Sequence, residues 1–251
     1  SLSVSGGSEK TKYYISGGYL KQDGYLITSN YNRYNGRLNL TSELRDWVEV
    51  GLKSSIAISK QNYPTQDGTA YANVVQYIRS MSSLYPVYQH GDDGQLILDD
   101  KGQPIYDFGK PDPTRRFNDS RNTLQPSNLL ATTNLDEVKR DRQLTNINAY
   151  AQIKFLKDFR FKTTFGWDRN VLSSLDYQNP DFGDAEGVLG RVTEAEDETT
   201  YWTWNNMVSY DKTFGDHQIN AMASTEAYKY NFSTFTAAKT GYPFSGLPVL
   251  A

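Results

Sequence analysis

The sequence predicts an all-β, antiparallel fold that crosses a membrane with strands, as a portion of a β-barrel. Three observations predict it. Polar and apolar side chains alternate with a period of two in run after run. The connections between these runs alternate short and long. The 251 residues have a mean hydropathy of -0.66 yet include 19 Tyr and 4 Trp. A helical membrane protein needs about 20 consecutive apolar residues, and the sequence has no such run. A membrane barrel puts only alternate residues in lipid, so its average stays polar. Tyr and Trp suit a surface that is wet at one end and apolar at the other.

The runs come in order along the chain. A partial strand is expected at 2–5, then one with Tyr13, Ile15 and Tyr19 on one side. Arg33, Arg37 and Asn39 next oppose Tyr34, Leu38 and Leu40, because strand side chains point to opposite faces in turn. Val48, Val50, Leu52, Ile56 and Ile58 oppose Glu49, Lys53 and Ser55, and Ile147, Ile153 and Phe155 oppose Asn146, Asn148 and Gln152. The clearest run sets Phe159, Phe161, Phe165 and Trp167 against Arg160, Lys162, Thr164 and Asp168. Trp202, Trp204 and Val208 follow, and a weaker run lies at 217–230. This gives about eight strands, near the ~9–11 residues that span a bilayer when tilted.

Charged short turns are expected near 8–10, 42–46, 157–158 and 212–216, and long connections at 23–32, 61–143, 173–198 and from 232 onward. Outer-membrane barrels place short turns at the periplasmic end and long loops outside. Residues 1–251 therefore read as one partial barrel with a long extracellular insertion at 61–143. Within it, Val74, Val75 and Ile78 predict a short helix over 71–82. The pairs 95–98 and 103–106 predict a small hairpin around Asp99-Asp100-Lys101-Gly102, and 112–134 reads as irregular loop.

The net charge of -3 argues against nucleic acid as a partner, since such domains concentrate basic charge on one face. There is no cysteine for a disulfide framework or thiolate metal site. His90 and His217 are far apart, and Asp92, Asp93, Asp99 and Asp100 lack the alternating spacing of a calcium loop and suit Asp-Gly turns better. No catalytic residue, metal or cofactor is expected. The start at Ser1 carries no signal peptide, which an outer-membrane protein needs, so the chain is expected to begin inside a longer gene product. A soluble carbohydrate-binding sandwich would require the Phe159–Trp167 face to be covered by a second sheet.

The passage at 13–40, YYISGGYLKQDGYLITSNYNRYNGRLNL, resembles the SusC/RagA family of TonB-dependent outer-membrane transporters of Bacteroidota. In that family YYxSGGYxxQxG leads to YxRYxGRxNL, and a charged turn and a W-x-x-V-G strand follow, here Trp47, Val50 and Gly51. LYPVY at 84–88, FKTTFGWD at 161–168 and TWNNMVSYDKTFGDHQINAM at 203–222 are similar too, in the family's order. The resemblance implies a much larger protein with a plug inside a barrel of about 22 strands. It implies import of oligosaccharides or peptides, a SusD-like surface lipoprotein at the mouth, and energy from the TonB complex acting through the plug. Nothing in this chain resembles the plug. A non-transporting barrel of the same type, serving as a structural subunit or adhesin, is the alternative.

On this basis Arg33, Arg37, Asn39, Asn146, Asn148, Gln152, Lys162 and Asp168 are expected to face the lumen. Phe159, Phe161, Phe165, Trp167, Trp202 and Trp204 are expected to face outer-membrane lipid. Tyr71, Tyr77, Tyr85, Tyr88, Tyr106 and Phe108 in the insertion are candidates for contact with substrate or the lipoprotein.

Overall fold

The computed structural model describes residues 1–64, 73–110, 124, 127–246 and 248–250. Eight strands, β1 (Leu2–Gly7), β2 (Thr11–Asp23), β3 (Asn30–Arg45), β4 (Val48–Asn62), β5 (Glu137–Phe155), β6 (Phe159–Gln178), β7 (Arg191–Phe214) and β8 (His217–Thr240), form one sheet in chain order. Every neighbouring pair is antiparallel, and β1 and β8 stand at opposite edges. Among the described residues, two α-helices, α1 (Val74–Ser80) and α2 (Leu129–Leu135), lie in the 63–136 connection.

The turns at one end of the sheet are short: 8–10, 46–47, 156–158 and 215–216. The opposite end carries 24–29, 63–136, 179–190 and the segment after β8. The short-long pattern is thus present, but the strands are longer than the alternation indicated. β5 begins at Glu137 and pairs Lys139, Arg140, Asp141 and Arg142 with β4 and β6, so the 61–143 insertion contracts to 63–136. Likewise β6 runs to Gln178 and β7 starts at Arg191, which leaves 179–190 from an expected 173–198, and β8 continues to Thr240. The cause is that these strand ends mix polar and apolar residues on both faces, so the two-residue signal fades while the ladder goes on. The helix expected over 71–82 spans Val74–Ser80, and α2 occupies part of the stretch expected to be irregular. Tyr71 and most of 112–134 lie outside the described residues.

Cross-strand partners point to the same side, so the register fixes two faces. One contains Val4, Ile15, Leu38, Ile147, Phe165 and Trp204; the other contains Arg37, Ser55, Asn146 and Asp168. Neither is covered. Ile15 is 51% exposed, Phe165 44% and Trp204 49%, and no second sheet stands opposite among the described residues. Buried hydrophobic residues collect instead at the end with long connections, where Tyr177, Val192 and Tyr242 form a cluster. The soluble-sandwich reading therefore fails.

The apolar face ends on a slope. Lys21, Asn32, Lys60, Asp141, Ser173, Glu196 and Phe235 form one cross-strand row. On β2 to β4 the first strongly polar residues beyond the apolar stretch, Lys21, Asn32 and Lys60, lie in this row. On β6 the first is Arg169, four residues nearer the short turns than Ser173, and on β8 it is Lys229, six residues nearer the short turns than Phe235. The boundary is level from β2 to β4 and falls six residues by β8, an average of about one residue per strand across the sheet. With a rise of about 3.3 Å per residue and strands about 4.8 Å apart, a level boundary requires strands tilted by about 35°, within the range of closed barrels.

Gly51 on β4 has a local role. Its partner Tyr150 on β5 lays its ring over the Gly51 backbone, where a Cβ would collide with the ring, and the Tyr150 hydroxyl donates to Glu49 Oε1 at 2.6 Å. Gly51→Ala should destabilise the barrel by about 1–3 kcal/mol, the usual cost of overpacking. Tyr150→Ser in the same chain should recover most of it. Urea unfolding of the two single variants and the double variant checks this.

Candidate functional site

Two surfaces concentrate polar or aromatic groups. The first is the polar face of the sheet. Arg37, Ser55, Asn146 and Asp168 form one cross-strand row; Asn39, Lys53, Asn148 and Gly166 form the next; Glu49, Gln152, Lys162 and Met207 a third. Ser55 Oγ donates to Asn146 Oδ1 at 3.1 Å, and Asn146 Nδ2 donates to Asp168 Oδ1. The Lys162 ammonium sits 4.5 Å from the Tyr150 ring centroid. Arg160 pairs with Asp211, and Arg140 grips Asp176 with Nη1 at 3.2 Å and Nη2 at 3.0 Å. All eight polar candidates named from the sequence share this face. The six aromatic candidates on β6 and β7 share the other, where Phe165 and Trp202 stack at 6.2 Å and Trp204 Nε1 donates to Thr163 Oγ1 at 2.8 Å. Satisfying the indole N–H within the sheet lets that ring lie on an apolar surface at little cost.

The second surface is built by the long connections. Residues 87–90, 95–98 and 103–106 make a small three-pass unit in which Gln89 N donates to Ile105 O, Ile105 N to Ile97 O, and Ile97 N to Gln89 O. The sequence indicated two of these passes and missed the third. Asp93 and Asp99 close its turns by accepting backbone N–H bonds from Gln95, Lys101 and Gln103. Tyr88 and Tyr106 stack at 5.3 Å, Phe108 lies 6.4 Å from Tyr106, and Phe108 stacks on Phe182 of the 179–190 connection at 4.2 Å. Three of the aromatic candidates thus come together. Tyr77 does not join them; it is a buried residue of α1 itself, while Tyr85 remains 38% exposed.

What joins the pieces was not legible in the sequence. Asn128 caps α2 by accepting from Ala131 N at 3.1 Å, and its amide donates to Val87 O at 2.7 Å and Asp107 O at 2.8 Å. At the other end of α2, Asp136 Oδ1 accepts from Asn179 N at 2.9 Å and Asn179 Nδ2 at 2.5 Å, joining the two long connections. Burial lifts the Asp136 carboxyl to about 6, against the bonds from Asn179, with a smaller push from Asp184.

No family model matches the chain. It is 30% identical over 244 residues to the TonB-dependent receptor P3 of Formosa agariphila, covering 95% of this chain and 22% of that protein. It is 23% identical to the TonB-dependent receptor SusC of Bacteroides thetaiotaomicron, covering 93% of this chain and 23% of that protein. Its fold matches a chain in the structure of the RagAB peptide transporter with a TM-score of 0.68 at 23% identity, over 96% of this chain and 25% of that one. The chain belongs to the SusC/RagA family of TonB-dependent receptors. This SusC/RagA-family sheet is a portion of a transmembrane β-barrel, spanning about a quarter or less of the length of the relatives it matches.

Two outcomes are expected. Asn128→Ala removes a helix cap and leaves two carbonyls without their donor, so it should loosen the insertion by about 2–4 kcal/mol. Faster hydrogen exchange at α2 and 87–107, with the strands unchanged, checks it. The Asp136 carboxyl titrates higher folded than unfolded, so its contribution is full below about pH 4 and is lost as pH rises through about 6. Docking of α2 on 179–190 should be firmer at pH 5 than at pH 7, and Asp136→Asn should abolish the difference, as read by exchange at the Asn179 amide.

Proposed function

We propose that the whole protein is a TonB-dependent outer-membrane transporter and that this chain forms part of its barrel wall. The apolar face meets lipid, the polar face lines the lumen, and 63–136 lies outside the cell. The cargo is an oligosaccharide or peptide too large for porins, taken up together with a SusD-like lipoprotein that closes over the extracellular mouth. Energy reaches the barrel from the TonB complex through a plug. The protein performs no chemistry on its cargo.

The observation that carries this reading is the sloping edge of the apolar face. Its stretches are alike in length: Phe159 to Trp167 on β6, Trp202 to Tyr210 on β7 and Val48 to Ile58 on β4, each close to the ~9–11 residues of a tilted spanning strand. Tyr and Trp gather toward the limits of this band, where headgroups begin. Beyond it, Arg169 pairs with Glu198 at 2.6 Å on the same face, which suits strand ends rising out of the bilayer. The likeness in fold to a chain of the RagAB peptide transporter supports transport. An insertion that ends at the rim and carries aromatic side chains in a folded unit is suited to hold cargo or a lid.

A charge at mid-membrane costs about 2–4 kcal/mol for Arg. Phe161→Arg should therefore impair barrel assembly, while Thr164→Arg on the opposite face is tolerated, as read by heat-modifiable migration in gels. Equal assembly of the two would refute the assignment of faces. A biotin-acceptor tag beside Asp100 should be labelled on intact cells; labelling only after the outer membrane is broken would invert the topology and remove the lid role.

A further inference from the structure

The polar face of the sheet is not polar throughout. On β8 it carries Gln218, Asn220 and Glu226 and then three aromatic side chains in succession, Tyr228, Tyr230 and Phe232. Among the described strands, no other places more than one aromatic side chain on this face. The partners of the three on β7 are Thr203, Tyr201 and Thr199. The Tyr201 and Tyr228 rings lie 6.3 Å apart. On β8 the apolar band of the opposite face ends at Lys229, so the three rings stand at and beyond its limit, toward the long connections. From Thr193 to Ser209 on β7, and on their partners on β8, the charged side chains of the polar face are Asp197 and Glu226, both acidic. Thr234 Oγ1 donates to Asp197 Oδ1 at 2.6 Å. None of the three rings lies in the passages at 13–40, 84–88, 161–168 or 203–222 that carry the family resemblance, which assigns them no role.

We propose that this strip is a stacking track for a neutral oligosaccharide at the mouth of the pore. The proposal rests on the transport reading, in which this face lines the lumen. Alternate residues of one strand follow one another at about 7 Å, so Tyr228 to Phe232 makes a path about 13 Å long. A sugar ring has apolar C–H faces and a rim of hydroxyls. Its face lies well on an aromatic ring, whose own face is electron-rich. Its rim meets the hydroxyls of Thr199 and Thr203 beside the rings. At the ends of the track Glu226 and Asp197 accept from sugar hydroxyls, and a hydroxyl bond to a carboxylate is a strong one. The same two carboxylates repel an acidic chain. A basic peptide suits them, but on β7 and β8 every position between them is a ring or a hydroxyl, and Asp168 on the next strand is held by the Asn146 amide. Successive units of a sugar chain therefore meet the chemistry they carry, while successive cations do not.

The test uses the full-length protein purified in detergent. The probes are maltoheptaose, laminarihexaose and xylohexaose as neutral chains, oligogalacturonate as an acidic chain and oligolysine as a basic peptide. At least one neutral chain should bind more tightly than the last two, with little dependence on salt. Tyr228→Ala with Tyr230→Ala should loosen it at least about tenfold. Tyr230→Phe should stay within about twofold of wild type, while Tyr230→Leu, apolar but without a ring, loses affinity several-fold. Lys229→Gln on the opposite face should change nothing. Heat-modifiable migration confirms that each variant is folded. Failure of all three neutral chains to bind, tighter binding of oligolysine or oligogalacturonate, or equal affinity of wild type and the double variant would each overturn the track. A double variant that conducts ions across planar bilayers where wild type does not, with its affinity unchanged, would assign the rings to the plug instead. Uptake by whole cells is measured separately: binding without uptake would count against the transport reading and leave the track standing.

Discussion

The interstrand hydrogen-bond ladder is the interaction on which everything else here depends. Among the described residues no core lies beneath either face across the apolar band, so side-chain burial between these residues is not what organises the sheet. Backbone N–H and C=O groups in lipid have no water to turn to, and an unpaired one costs several kcal/mol. Six of the eight strands have a partner on both sides, and β7 and β8 remain in register over 24 residues each. The side chains are then free to answer to two different solvents, and their alternation records which.

That record explains how much of the fold could be read from the sequence. Where one face meets lipid and the other water, as from Phe159 to Asp168, the alternation is unmistakable and both the strand and its facing follow from it. Where both faces are polar, as at Lys139 to Arg142 or Glu194 to Glu198, the contrast disappears and a strand looks like a loop. The largest errors in strand length therefore fall at one end of the sheet, while at the other β3 and β7 run only two or three residues past the expected start of their turns. The contacts that assemble the insertion were hidden for another reason. Asn128 and Asn179 act across long sequence separations, and an asparagine in a polar stretch carries no local mark of the partner it will meet.

The same division shows in how the two candidate surfaces are built. Polar residues on the sheet take their positions from a rigid register, so Arg37 and Asp168 hold fixed places in one row. The aromatic ladder from Tyr88 to Phe182 takes its position from a few side-chain hydrogen bonds and one half-buried carboxylate. A scaffold of fixed spacing carrying a unit with adjustable docking is a reasonable division between a pore wall and the structure at its mouth.

The length of the 63–136 connection also bears on how the chain assembles. The hairpin β7–β8 closes across Gly215 and Asp216, whereas β4 must find β5 across some seventy residues. Loop-closure entropy grows as the logarithm of length, so the longer closure costs about 3 kcal/mol more. The strands consequently fall into two sets of near neighbours, β1–β4 and β5–β8, that can zip locally, with the β4–β5 seam left to join them. That seam has fifteen paired positions, among them Gly51 and Tyr150. In kinetic terms the insertion acts as a slow hinge between two fast zippers, placing the Gly51–Tyr150 contact at the last junction to close.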